Sequence, residues 1–401
     1  MMKLHVVKKR QFGDRLVRLV TLPVLLITIL AIFGSSPIFA RTIAVPGNAP
    51  SIKGAMIQAQ SGDIILVSCG TYRENDIWVK AGVSLWSSTL QPDCVTIDAG
   101  DQGRCLIFSN ADSNTNLVGF TLRGGRASPT NEQGRGGAIL CQNSAPNITR
   151  CNFIDNNATA GGALAVMGTQ GPRLKQCRFS RNEAANQGGA IFWTGQSGSL
   201  QDCTLVLNHA LVSGGALAAE GGNIVIEGSL IRANSAGNAG GGLSFVSTTA
   251  AVTRTVLAEN LGGLAGGAVA CRDASPTFKN CTLHANDADG QGTVLSLAGS
   301  HPVFESCVIT GSSSALIEAT DSQPTMTQSN ILPTAERNWP GTLAAQQEAP
   351  GNLTVDPLYC APEAGDYHLQ PGSPCLAPAG AGHIGALGQG CGAQFPADVV
   401  N

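Results

Sequence analysis

The chain has 401 residues, including 50 glycines, with 43% hydrophobic and only 5% aromatic residues and a formal net charge of −3. So much glycine and so few aromatics exclude an ordinary close-packed globule, and the hydrophobic content excludes a disordered linker. Beyond residue 40 there remain 18 basic and 26 acidic side chains, a net charge of −8, which disfavours nucleic acid as a partner.

Residues 1–40 read as a secretory signal peptide. Lys3, Lys8, Lys9, Arg10, Arg15 and Arg18 precede the apolar run Leu19 to Phe33, and small residues lead to "SPIFA" ending at Ala40. An uncleaved membrane anchor is the competing reading, and Pro23 and the shortness of the run count against it. No later segment is long and apolar enough to span a bilayer, so an exported location is expected: secreted, periplasmic or at the cell surface.

Residues 41–135 are expected to form an N-terminal cap and irregular first coils. Ser51 stands where a helix cap would, before apolar Ile52, Ala55, Met56 and Ala59, which predicts a short amphipathic helix over the first coil. "DIILVSCGTY" then reads as the first strand, and "RASPTNEQGR" (Arg126 to Arg135) as a polar insertion looping out.

From 136 to 313 the chain repeats itself. Glycine pairs open "GGAIL", "GGALA", "GGAIFW", "GGALA", "GGGLS" and "GGAVA". Blocks such as "CNFIDN" at 151 and "CRFSRN" at 177 recur every 26 residues through "CTLHAN" at 281, with a degenerate copy at 307. Apolar columns run Ile148, Leu174, Leu200, Ile226, Val252, Phe278, Phe304; Phe153, Phe179, Leu205, Ile231, Leu257, Leu283, Ile309; and Ile191, Leu217, Leu243, Val269, Leu295. Short strand-like runs at a fixed period, without any helical i, i+3, i+4, i+7 pattern, predict an all-β solenoid with one coil per repeat. Equivalent strands would pair in parallel about 4.8 Å apart, stacking like on like. A phosphate-binding loop occurs once, before a helix; glycine pairs that recur with neither helix nor Lys behind them predict a structural corner. The column Asn156, Asn182, Asn208, Asn234, Asn260, Asn286, ending at Ser312, predicts an internal asparagine ladder. Ala163, Ala190, Ala216, Gly242 and Ala268 are expected to form an outward column suited to packing or display. The period fades over 314–401, whose Pro- and Gly-rich tail reads as a C-terminal cap. Its Cys360, Cys375 and Cys391 suggest one disulfide with a thiol left over.

Chemistry-bearing residues are sparse. Cys151, Cys177, Cys203, Cys281 and Cys307 share one repeat position with Ser229 and Thr255, which favours small buried side chains over bridges, and no CxxC pair suggests zinc. The histidines after residue 40 (His209, His284, His301, His368, His383) occupy unrelated repeat positions. Gln201 with Asp202, and Asp287 with Asp289, are weak candidates for acid–base work or for calcium, against the alternative of solvated turn acids. Arg150, Arg178, Arg181, Arg232 and Lys279 are expected on the outer face of the C-x-F strand and its turn.

The alternation of GGAI or GGAL with FxxN ("FIDN", "FSRN") resembles the repeats of the polymorphic outer-membrane protein adhesins. "GDIILVSCGTYREN" resembles the opening of secreted right-handed β-helix proteins of the pectin-lyase-like class. Together the resemblances cover residues 45 to 313 and imply a right-handed parallel β-helix. The 88 residues after Ser313 are fewer than the adhesins' membrane barrel needs. Gly70, Tyr72 and Glu74 match the GxYxE-like start of pectin methylesterases, but that family's Asp-centred and Arg-Pro-Trp motifs are absent. The polygalacturonase Gly-His-Gly is absent too, so no catalytic residue carries over. The expected function is an adhesion or polysaccharide-binding and display scaffold, contacting polysaccharide or a surface protein. A polysaccharide lyase, hydrolase or epimerase using a groove along one sheet is the alternative, and a plain structural spacer a third.

Overall fold

Each repeat contributes one residue set to each of several stacked parallel sheets. The computed structural model describes residues 40–128, 134–290, 292–311, 316–333, 339, 341–376 and 382–391. The proposed signal segment up to residue 39 and Ser312 lie outside them, as does the middle of the Arg126–Arg135 stretch. Within a coil the chain passes through sheet 1 (12 strands, Thr42–Val45 to Thr325–Thr327) and sheet 2 (11 strands, Gly70–Tyr72 to Asn330–Leu332). In the regular coils it then enters sheet 3 (6 strands, Asn157–Ala160 to Asp287–Ala288) before sheet 4 (10 strands, Ile77–Val79 to Ile317–Thr320). Every pairing in these sheets is parallel, and in the regular coils the partners are residues one repeat apart: Phe153 lies on Phe179, Phe179 on Leu205, Leu283 on Ile309.

Stacking like on like fills the prism. The three apolar columns are buried, and Phe153 with Phe179 and Phe278 with Phe304 stack with ring centroids 4.3 and 4.7 Å apart. The glycine pairs are corners between sheets 3 and 4. Gly188 holds φ at +65°, and a Cβ on Gly189 would overlap the carbonyl oxygen of Gly215 on the next coil. The other corners take left-handed residues of several types: Gln176, Asp202, Gly228, Arg254 and Asn280 between sheets 1 and 2, and Asp155, Arg181, Ala233 and Glu259 after sheet 2. Two glycine pairs, at 161 and 188, lie 27 residues apart, and a register shift between Asn157–Ala160 and Glu183–Gln187 absorbs the extra residue.

The asparagine ladder forms at the turn after sheet 2. Asn182 donates its backbone N–H to Asn208 Oδ1 at 3.0 Å. Its Nδ2 donates to the same oxygen at 2.9 Å and to the Phe153 carbonyl at 2.9 Å. The pattern repeats from Asn156 to Asn286, all at most 1% exposed. Ala163, Ala190, Ala216, Gly242 and Ala268 do not face outward, correcting the expected display column: the four alanines are fully buried, and Gly242 lies beside the Asn260 amide. Only a small residue fits next to the ladder.

The Cys/Ser/Thr column is a second ladder. Cys177 Sγ donates to the Ile148 and Lys175 carbonyls, both at 3.4 Å, and Ser229 Oγ donates to the Glu227 carbonyl at 3.0 Å while accepting from Cys203 N at 3.1 Å. A thiol or hydroxyl therefore satisfies the carbonyl two residues back, and the thiols reach the preceding coil's carbonyl as well. These cysteines are free and buried, and burial pushes the Cys177 and Cys307 thiols well up.

The ends differ from the sequence reading. Thr42–Val45, not "DIILVSCGTY", is the first strand, and that segment divides into Ile64–Val67 on sheet 1 and Gly70–Tyr72 on sheet 2. Helix α1 (Ile52–Gln58) is capped by Ser51 as expected. Its Ile52 and Lys53 N–H groups also donate to Glu74 at 2.8 Å each, while Tyr72 donates to the Val45 and Ser68 carbonyls. The GxYxE residues Tyr72 and Glu74 thus hold the cap in place. A Cys69–Cys94 disulfide, unforeseen in the sequence, ties the first coils. At the far end, Trp339 and Leu343 of the 3-10 turn (Gly341–Gln346) close the core.

The Pro- and Gly-rich tail covers a flank instead. Cys360 and Cys391 are bonded, leaving Cys375 free. Tyr359, Tyr367, Leu369, Cys375 and Ile384 pack on Leu230, Val256 and Val308, which point outward from sheet 2.

Asn208→Ala should lower unfolding stability by about 1–3 kcal/mol, since buried amide and carbonyl groups on both neighbouring coils lose partners. A denaturation curve unchanged from wild type would remove the ladder's energetic role. A thiol reagent should label almost none of the nine free cysteines in the folded chain and all of them after denaturation.

Candidate functional site

The sequence-level acids do not converge. Asp202 occupies the left-handed corner between Ser199–Gln201 of sheet 1 and Thr204–Val206 of sheet 2. Asp287 begins the last strand of sheet 3, three coils further on and past the opposite end of a sheet 2 strand, with exposed Asp289 just after it. Asp287 Oδ1 accepts from the Ala288 N–H. Among the described residues no three His, Cys, Asp or Glu side chains gather as a metal site would require. The basic residues also part company. Arg178, Arg181 and Arg232 lie on sheet 2 or its turn, as expected, but Arg150 sits on the preceding corner and Lys279 on sheet 1. Arg181 pairs with Asp155 at 2.8 Å, Arg232 with Glu259 at 2.9 Å and Lys279 with Glu305 at 2.7 Å.

The histidines serve the framework. His209 Nδ1 bonds Ser235 Oγ at 2.8 Å and His284 Nδ1 bonds Thr310 Oγ1 at 2.9 Å, in each case one coil on. His301 Nδ1 accepts from the Gln323 N–H, His368 bonds Asp366 at 2.7 Å, and the His383 carbonyl accepts from Asn280. His284 lies under the tail, its ring 5.2 Å from Tyr359 and 5.7 Å from Tyr367. Burial lowers its pKa, outweighing the pull of Glu259 and Glu363.

The concave polar feature is elsewhere. Where the loops from sheet 4 enter sheet 1, a cleft of about 480 Å³ is lined by Asp112, Ser113, Gln170, Arg173, Ser197 and Ser199, among others. Arg173 opens a sheet 1 strand and is exposed, one coil from Asn147 and one from Ser199. Asp112 is fixed by its own turn: it accepts from Asn114 N and Nδ2 at 3.1 Å each and from Thr115 Oγ1 at 3.2 Å. Burial opposes its charge, but these hydrogen bonds prevail and hold the carboxyl below its ordinary range. Beside the cleft, Asn147 Nδ2 bonds the Ser113 carbonyl and Asn116 Oδ1 at 2.7 and 3.2 Å. The lining thus offers one ionised acceptor, one guanidinium fork, an amide and hydroxyls. It suits a ligand rich in hydroxyl groups or carrying a carboxylate. The paired carboxylates of glycoside hydrolysis are not part of this lining. The sequence reading missed the cleft because its residues come from loops that do not repeat; Gly, Ser and Gln in "MGTQGP" and "GQSGS" were the available signal.

Comparison with known proteins agrees with the coil geometry. The profile of the right handed beta helix region matches residues 189–337, and that of the Chlamydia polymorphic membrane protein repeat matches residues 176–192. Pectate lyase Pel9A superposes with a TM-score of 0.55 at 14% identity, over 89% of this chain and 98% of that one. The chain is a right-handed parallel β-helix, one of whose repeats is similar to the polymorphic membrane protein repeat. A polygalacturonase from Erwinia carotovora ssp. carotovora aligns to this β-helix with a TM-score of 0.38 at 11% identity (74% of this chain, 97% of that). PfbA, a surface adhesin of Streptococcus pneumoniae, aligns with 0.40 at 12% identity (76% and 97%). No curated protein sequence matches the chain. In this β-helix the FxxN phenylalanines and asparagines are buried, so that motif builds the coil.

His284 sets a pH prediction. Its folded pKa lies below the unfolded value of about 6.5, so stability is complete above that pH and falls as the unfolded chain takes up the proton first. The melting temperature should drop as pH is lowered below about 6.5, and His284→Gln should flatten that part of the profile.

Proposed function

We propose that this β-helix is an exported surface scaffold that binds polysaccharide along the outer edge of sheet 1. The observation that carries this reading is the polar cleft, where Asp112, Gln170, Arg173, Ser197 and Ser199 present hydrogen-bonding groups beside the regular ledge of Asn116 and Asn147. A solenoid supplies such groups at a strand spacing of about 4.8 Å, so an extended polymer can meet several coils at once. The polymorphic-membrane-protein repeat match supports a surface or exported location. A surface protein is the other ligand class consistent with an extended, rigid face. A second reading, a polysaccharide-active enzyme, draws support from the meeting of an ionised Asp and an Arg in the same cleft.

The test is to mix the purified chain with neutral and acidic polysaccharides, with and without calcium, measuring retention, new reducing ends and unsaturated-product absorbance. Retention without cleavage is expected. Arg173→Gln should weaken it about tenfold or more, the cost of a lost charge-assisted hydrogen bond. Chain cleavage would replace the scaffold reading with the enzymatic one, and neither retention nor cleavage would discard both.

A further inference from the structure

We propose a second, separate binding site in the groove between sheets 3 and 4, taking a small zwitterion: an α-amino acid with an apolar side chain, its carboxylate on Arg135 and its ammonium on Glu220. The site does not rest on the glycan reading.

Phe192 faces away from the core, between inward-pointing Ile191 and Trp193, yet is only 4% exposed. With Ala160 and Ala218 it forms an apolar patch separate from the main core. Over this patch lies a cavity of about 180 Å³, lined also by Arg135, Thr159, Asn186, Gln187 and Glu220. It is smaller than the roughly 300 Å³ at which pockets for drug-sized ligands begin, which suits a ligand of single-residue size.

The charges on its walls have no ionic partner among the described residues. The Arg135 Cζ stands 5.5 Å from the Phe192 ring centroid, and Nη1 donates to the Met167 thioether at 3.6 Å, a weak acceptor. Arg41, Arg123, Arg181, Arg232 and Arg254 each pair with a carboxylate; Arg135 has no such partner among the described residues. Glu220, at the end of a strand one coil beyond Phe192, likewise has no cation or side-chain hydrogen bond among them. Two opposite charges on one small cavity, neither bridged to the other, are both satisfied by a ligand bearing both. Asn186 and Gln187 add donors and acceptors, and Phe192 with Ala160 receives the side chain.

The experiment is calorimetric titration of the full chain with L-valine, 3-methylbutanoate, which lacks the ammonium, and isobutylamine, which lacks the carboxylate. L-Valine should bind at least about tenfold more tightly than either single-charge analogue, as expected when one charged contact is removed. Arg135→Gln and Glu220→Gln should each weaken L-valine binding by a similar factor while leaving circular dichroism unchanged. Glu220→Gln is the decisive variant if Arg135→Gln perturbs folding. No binding at about 10 mM L-valine, equal affinity for 3-methylbutanoate, or wild-type affinity in Glu220→Gln would each overturn the proposal.

Discussion

Parallel pairing of each strand with the equivalent strand one coil on is the constraint from which the rest of the structure follows. Once residue i must lie over residue i+26, every side chain meets a near copy of itself, and each column must tolerate self-contact. Aromatic rings do so by offset stacking, as Phe153 and Phe179 show. Asparagine does so because its amide donates and accepts in one plane, so each member satisfies its neighbour. A thiol does so by bonding carbonyls of its own and the preceding coil, and a hydroxyl by bonding the carbonyl two residues back while accepting an N–H from the preceding coil. A buried column of like charges would fail, and among the described residues the interior has none.

The same constraint decides where the chain can be individual. Corners and columns inside the prism are held to a narrow set of residues, so the glycine pairs and FxxN motifs recur as geometry. Freedom remains in the loops entering sheet 1, on outward-facing strand positions and in the tail. All three distinctive features of the surface arise there. The polar cleft comes from loops of unequal sequence, the Phe192 groove from one outward aromatic, and the covered flank of sheet 2 from the disulfide-closed tail on Leu230, Val256 and Val308.

In the proposed scaffold reading, recognition divides between the stacked coils and what decorates them. The stacked sheets provide rigidity and a repeating ledge, and the charged pairs running along the outside, such as Lys279 with Glu305, are exposed and add little stability. What distinguishes one position along the prism from another is an acid and an arginine lining the same concavity. Arg173 beside Asp112, and Arg135 beside Glu220, are such places.

The fold was legible in the amino-acid sequence because a solenoid is governed by near-neighbour contacts at one fixed separation. The 26-residue period, the apolar columns and the asparagine ladder all follow from residues that meet their own equivalents, and the Ser51 helix cap from a bond three residues along the chain. Tertiary structure alone decided what depends on contacts outside that period. The tail lies on sheet 2 rather than over the end because Leu230, Val256 and Val308 are apolar where Asn152, Arg178 and Thr204 are polar in earlier coils, a difference whose meaning appears only once those side chains are seen to point outward. The alanines taken for an outward column lie inside because corner geometry, not periodicity, sets which way a residue after two glycines faces. The candidate sites join residues such as Asp112 with Arg173, or Arg135 with Glu220, that lie two or three coils apart in the chain and meet only because the coils stack and the loops between them bend over the same edge.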